Sequence, residues 1–395
     1  MASPTDAGTE RLWSRDFTLA TVTNALVMII FYLLMTTMAV YAAQQFGVSA
    51  TAAGLASSMF IIGAVGARVT AGPLVQATGP RRALLWSLVV FVAMSLAYLP
   101  AGNLALVLAV RFLHGLAFGI ASTAATTLAQ SVIPPVRRGE GTGYFTLGAP
   151  FAAGAGPVLA LWLIDRWDYP ALFLTCAAVS TVAWLVAVFI RPTAAPAGRR
   201  PGRLRWQEVV HPDVLPLATF MLLTGVASSS VLTYTHPHAE SLGIADAAGT
   251  FFVVYSLTVL GTRLVAGRVQ DRRGDNTVMY PAIALYAVGM VSLAQADSTL
   301  GMALAGGLVG AGFGTLMPTA QAAVVRIADG NRVGTAVATY YLFLDIGTGV
   351  GPIVLGLVIG AADHRVMYLV VAGLIVASAG YYHLVHGRRR PAPAR

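Results

Sequence analysis

Twelve apolar runs follow one another along this chain, separated mostly by short polar breaks. They lie at about 17–43, 52–75, 83–100, 104–130, 141–165 and 170–191, then at about 214–236, 246–270, 277–296, 300–328, 334–361 and 366–385. A helix needs roughly 20 predominantly apolar residues to cross a bilayer. Repetition on this scale leaves one fold class, an all-α integral membrane protein of twelve transmembrane helices. Charged residues make up 10% of the chain, against about 25% in a soluble domain, so the polar breaks are too small to hold a separate soluble catalytic domain. The first run, starting near Phe17, is too long for a signal-peptide core and reads as a retained span.

The polar breaks fix an expected organisation. Residues 1–16 form a tail, 17–191 a first six-helix half, 192–213 a linker, 214–385 a second half and 386–395 a basic tail. All 25 basic residues are arginine. They crowd one set of alternate loops: Arg81–Arg82, Arg137–Arg138, the linker, Arg272–Arg273 and Arg332. The other set holds mainly acids, among them Asp165, Asp168, Glu240, Asp246, Asp297 and Asp363. The positive-inside rule then places both termini and the linker in the cytoplasm, and the chain as a multi-pass protein of the inner (plasma) membrane. The net charge of +9 is a topology signal by the same argument, and no nucleic-acid partner is expected. Around Trp206 the linker reads either as a short amphipathic helix on the lipid surface or as a solvated connection.

One acid lies inside a span. Tyr340–Pro352 reads YYLFLDIGTGVGP and carries Asp345. A carboxylate near the bilayer centre costs about 2.5–3.5 kcal/mol on insertion scales, and such residues face interior spaces and carry function. Gly347, Gly349 and Gly351 permit close helix approach, and Pro352 removes a backbone donor. Asp345 is therefore the expected proton-coupling residue, in a helix able to bend beside it; a buried acid hydrogen-bonded to neighbouring helices for packing alone is the structural alternative.

The chain also repeats. Residues 66–72 read GARVTAG and residues 261–267 read GTRLVAG, 195 positions apart. At the same offset Gly79 meets Gly274, Gly115 meets Gly310, Gly119 meets Gly314, and Gly156–Pro157 meets Gly351–Pro352. A fixed offset over several spans implies two halves related by a pseudo-twofold axis, with a central site between them.

Four motifs carry a family resemblance. Gly267, Asp271, Arg272 and Gly274 fit a G-x-x-x-D-R-x-G loop after the second span of the second half. The first-half copy keeps Gly72 and Gly79 but has Gln76 and Ala77 in place of the acid and base. Arg111, His114, Gly115 and Gly119 form R-x-x-[polar]-G-x-x-x-G in the fourth span. Gly148, Pro150, Gly154, Gly156 and Pro157 match part of a glycine-rich G-P motif, and Gly347-x-x-x-Gly351-Pro352 is its fuller copy. With these motifs the chain resembles the major facilitator superfamily over nearly its whole length. Within it, the chain is similar to 12-span drug:proton antiporters and opine-metallophore exporters. The resemblance implies alternating access, export of a small organic molecule against protons, and a coupling role for Arg111. An arginine bonded to backbone carbonyls is the structural alternative for Arg111. His114 is either a group titrating near neutral pH or a hydrogen-bonded packing histidine. Arg68 and Arg263 are expected to snorkel to the interface.

The resemblance also implies a cavity lined by the first, fourth, seventh and tenth spans. Its candidate residues are Asn24, Tyr32, Met35, Thr36, Ser228, Tyr234, Met317 and Gln321. Methionine and aromatic stripes at this spacing are also ordinary packing, so both readings stand. His236-Pro237-His238 offers two metal ligands, too few for a site. Cys176 is a lone cysteine in an apolar run. No metal, no cofactor and no enzymatic activity are expected; the expected partners are a small-molecule substrate, protons and the lipid bilayer, with the protein a monomer. Competing readings are a symporter or facilitator importing a small metabolite, and a non-transporting receptor.

Overall fold

The computed structural model describes residues 12–134, 141, 144–191, 210–328 and 333–388. Arg137–Arg138, Glu140, Trp206 and Arg332 lie outside the described residues, as do the side chains of Gln76 and Asp271.

Among the described residues the regular structure is entirely helical. The first half contains α1 (Arg15–Phe46), α2 (Ala50–Thr78), α3 (Pro80–Ala97), α4 (Leu104–Val132) and α5 (Gly148–Val188). The second contains α6 (Leu215–Ser241), α7 (Ala247–Arg273), α8 (Asp275–Gln295), α9 (Thr299–Ile327), α10 (Val333–Ala361) and α11 (His364–Tyr382), with a final π turn at His383–Gly387. Eleven helices among the described residues are long and apolar enough to cross a membrane. The fifth and sixth expected spans run together in α5, which bends at Asp168, where φ is +66°. That bend is the counterpart of a helix start. Asp168 stands 195 positions before Asp363, which caps α11 by accepting from the Val366 N–H at 2.8 Å. Asp168 in turn accepts from the Tyr169 N–H at 2.7 Å. The twelve expected segments are thus present, two of them joined at a corner.

The repeat seen in the sequence is a repeat of local structure. The N-caps of α4 and α9 are Asn103 and Ser298, at the same offset. Gly79 and Gly274 each join two helices alone, with φ of +84° and +82°, a conformation in which glycine carries no Cβ penalty. Gly115 approaches the Phe60 carbonyl, and Gly310 approaches the Tyr255 carbonyl, again 195 residues on. Packing by small residues is the expected device in lipid, where apolar burial between helices gains little. Outside the bundle, Trp86, Phe151, Leu257, Leu300 and Val376 are exposed, as a lipid-facing surface requires.

The halves join along α2 with α10 and α5 with α7, and α1 also touches α6. For orientation, the end carrying Phe189–Arg191 and Val210–Val214 is called the linker end and the opposite end the far end. At the far end Gln44 of α1 lies 3.5 Å from Glu240 of α6 and accepts from the Tyr169 hydroxyl at 3.1 Å. Gly54 of α2 packs against the Pro352 carbonyl and the Tyr234 hydroxyl. Gly356 of α10 packs against Ala50 and Thr51.

Candidate functional site

Asp345 lies twelve residues into α10, so about 18 Å from its start at 1.5 Å per residue. Its partner is Arg68, on α2 of the other half, with Nε 3.0 Å from Oδ2. This corrects the expectation that Arg68 snorkels. The reason is depth: Arg68 stands ten residues before the end of α2, and a carboxylate is nearer to it than the interface. The pairing is a charge contact rather than an aligned hydrogen bond, since neither Nε of Arg68 nor Oδ2 of Asp345 has a hydrogen-bond partner of good geometry. Although 30% and 22% of the two side-chain surfaces are exposed, the paired Nε and Oδ2 atoms are themselves buried. The link between the halves is thus a buried and imperfectly bonded charge pair.

Arg111 is elsewhere. Its Nε donates to the Ala56 carbonyl at 2.6 Å and an Nη donates to the Ser57 carbonyl at 3.3 Å. Its guanidinium lies 4.6 Å over the Phe60 ring. Arg111 is fully buried and does not meet Asp345; it ties α4 to α2 within the first half. His114 joins the same layer, with Nδ1 3.1 Å from the Tyr98 hydroxyl and its ring 4.1 Å from that of Phe91. Its Nε2 is buried without a partner. Arg111→Gln should lower the stability of the folded protein by about 1.5–3 kcal/mol, the scale of hydrogen bonds made by a charged group. A lower midpoint in thermal unfolding of the detergent-solubilised protein measures this; an unchanged midpoint would mean that the carbonyl contacts carry no stability.

A second cation, Arg263 of α7, lies near the same level. Tyr32, Tyr255, Tyr340 and Tyr341 lie within electrostatic reach of it. Tyr32 and Tyr341 also feel Asp345, so the two sites adjoin. The Tyr341 hydroxyl donates to Gln321 at 3.1 Å, and the Tyr340 hydroxyl donates to the Met317 carbonyl at 2.7 Å. Of the residues expected to line a cavity, Tyr32, Met317 and Gln321 therefore gather in this central region. The others are packed in this state. Asn24 and Met35 are buried, Thr36 bonds back to the Tyr32 carbonyl, Ser228 bonds to the Gly225 carbonyl, and Tyr234 donates to the Pro352 carbonyl at 2.6 Å.

The packing motifs divide by role. Gly347 and Gly351 approach α6 at Leu222 and Ser229, and Gly156 approaches α1 at Tyr32 and Leu33, so these glycines close contacts inside each half. Gly154 faces Ser256 across the halves. At the linker end, Asp275 binds Arg326, His386 at 3.0 Å and Gln270 at 2.9 Å. Pro80 occupies the equivalent first-half position. Arg272 is exposed at the end of α7. The His236–His238 stretch lies within α6, and His238 faces the Leu293 carbonyl at 3.1 Å. Among the described residues no group of three His, Cys, Asp or Glu side chains is placed to hold a metal.

The sequence reading missed Arg68 and Arg263 as interior groups, along with Tyr255, Tyr340 and Tyr341. The repeat held the signal: two arginines at one pseudo-symmetric position, only one of which has an acid opposite it.

Comparison with known proteins agrees with this architecture. A model described as Major Facilitator Superfamily matches residues 20–301 and 239–395. The multidrug resistance protein MdtG of Klebsiella pneumoniae is 27% identical over 302 residues, covering 74% of this chain and 73% of that one. The uncharacterized MFS-type transporter YhhS of Escherichia coli is 27% identical over 343 residues, covering 85% and 84%. The crystal structure of the nucleoside transporter NupG superposes with a TM-score of 0.72 at 15% identity, covering 95% of this chain and 100% of that one.

Proposed function

The chain belongs to the major facilitator superfamily, and we propose that it is a proton-coupled exporter of small organic molecules working by alternating access in the inner membrane. The observation that carries this reading is the Arg68–Asp345 pair, which joins the two halves. MdtG, a relative over most of its length, is named for multidrug resistance, which favours efflux over import.

In the state described, α2 and α10 meet from the far end down to the ion pair. With the termini cytoplasmic, as the arginine bias implies, these contacts close the outer side. Asp345 is charged here, held by Arg68. Rearrangement that parts the halves at the far end pulls α2 from α10, leaving the carboxylate without its counter-charge in an apolar setting. It then takes a proton from the far side. Return to the state described brings Arg68 back, and the proton leaves toward the linker end. One proton entering per cycle drives the reverse movement of substrate.

In proteoliposomes, a pH gradient acid on the far side should drive substrate uptake toward that side, and substrate added to protein in weak buffer should release protons. Substrate movement along with the proton, in the same direction, would replace the exporter reading with symport. Movement indifferent to the gradient would leave a facilitator.

A further inference from the structure

The pseudo-twofold axis pairs Arg68 with Arg263, yet the two have different fates. Arg68 has Asp345. The residue equivalent to Asp345 in the first half is Pro150, on α5, which packs against α7. Arg263 accordingly has no carboxylate opposite it, and its Nε is buried without a partner. Among the described residues the groups that act on its charge are four tyrosines, Tyr32, Tyr255, Tyr340 and Tyr341. A cation inside a membrane protein without counter-charge is costly, so such residues pair or serve a ligand.

Two further features define what is missing. Guanidinium presents a planar fork of donors that matches an oxyanion. The tyrosines come from α1, α7 and α10, hence from both halves, and lie within electrostatic reach of that fork, with the Tyr340 and Tyr341 hydroxyls engaged by Met317 and Gln321. Among the described residues Arg263 thus has tyrosines near it and no paired acid. A cationic substrate would meet an unscreened arginine there.

We propose that Arg263 anchors the head group of the transported substrate, and that this substrate is a small organic anion with a carboxylate-type head on an aromatic or otherwise apolar body. The inference rests on the transporter reading and deepens it. Substrate supplies to Arg263 the charge that Asp345 supplies to Arg68. A bound anion also bridges α7 to α1 and α10, so loading touches both halves.

The test uses the full-length protein in detergent, without added anionic lipid. Thermal unfolding is followed with three probes sharing one ring system: 2-naphthoate, 2-naphthamide and 2-naphthylmethylammonium. Inorganic phosphate and chloride serve as controls. Naphthoate should stabilise the protein at concentrations about tenfold or more below those the amide or the ammonium needs, the scale of one charge-assisted hydrogen bond. Arg263→Gln should erase that preference and Arg263→Lys should keep part of it. Without probe, Arg263→Gln should unfold at the wild-type temperature or above, because it removes an unpaired buried cation. Equal effects of the three probes, an anion preference that survives in Arg263→Gln, or stabilisation by phosphate equal to that by naphthoate each overturn the proposal. If both arginine variants fail to fold, the wild-type protein decides by itself: stabilisation by naphthamide or by naphthylmethylammonium equal to that by naphthoate counts against the site. Coupling is read separately by the proton flux of Asp345→Asn, so loss of one reading leaves the other standing.

Discussion

Asp345→Asn abolishes transport driven by a pH gradient and the proton release that substrate provokes, while the protein still folds and inserts. Asparagine keeps the shape of the side chain and removes its titration. The stability cost is small, because the pair is not an aligned hydrogen bond and 30% of the Arg68 side-chain surface is exposed; for such part-exposed pairs about 0–1 kcal/mol is typical. The functional cost is complete, because without a charge that comes and goes nothing ties the separation of α2 from α10 to a proton. Downhill exchange of substrate should persist, since the Arg263 region is intact. Counterflow in proteoliposomes, with and without a pH gradient, measures both arms. An Asn variant that still concentrates substrate at the wild-type rate and with the same pH dependence would make Asp345 structural. Coupling would then be sought at His114, whose Nε2 is buried without a partner.

Much of this fold was legible in the residues because lipid simplifies the problem. Every spanning segment must satisfy its own backbone, so apolar run length alone gave the helices, and the corner at Asp168 alone ran two of them together. The 195-residue offset was visible in glycines because close helix approach tolerates little else, as at Gly115 against Phe60 and Gly310 against Tyr255. What periodicity does not encode is rotation and partner choice. Asp345 was evident as an interior acid, but whether it met Arg111 or Arg68 depended on which face of α10 turns toward α2. Arg68 and Arg263 looked like snorkelling residues because each stands near a loop motif, and only the packed bundle reveals how far each sits from a helix end. Cavity residues were the least legible. Met35 and Tyr234 carry the composition of a binding wall, yet in this state they are part of the closed packing.

Gly54→Leu holds the protein with its far end open and stops turnover. The glycines sort into two classes that sequence alone does not separate. Gly115, Gly310 and Gly347 approach helices of their own half, so enlarging them damages a bundle that stays assembled through the cycle. Gly54 approaches the Pro352 carbonyl and the Tyr234 hydroxyl, both of the other half. The carbonyl belongs to a packed helix and cannot swing aside as a side-chain end does. A leucine there excludes the far-end closure while leaving each half intact. Overpacking of this kind costs about 1–3 kcal/mol, and at the upper figure it shifts a two-state equilibrium about a hundredfold. The shift is read with spin labels at Gln45 and Ser241, exposed positions on the two halves near the far end. Their separation should lengthen in Gly54→Leu relative to wild type. Gly310→Leu should lower the unfolding temperature without lengthening that distance. If Gly54→Leu leaves the distance distribution unchanged, the contact at Pro352 is not part of a gate, and closure of the far end must rest on Gly356 and the Gln44–Glu240 contact instead.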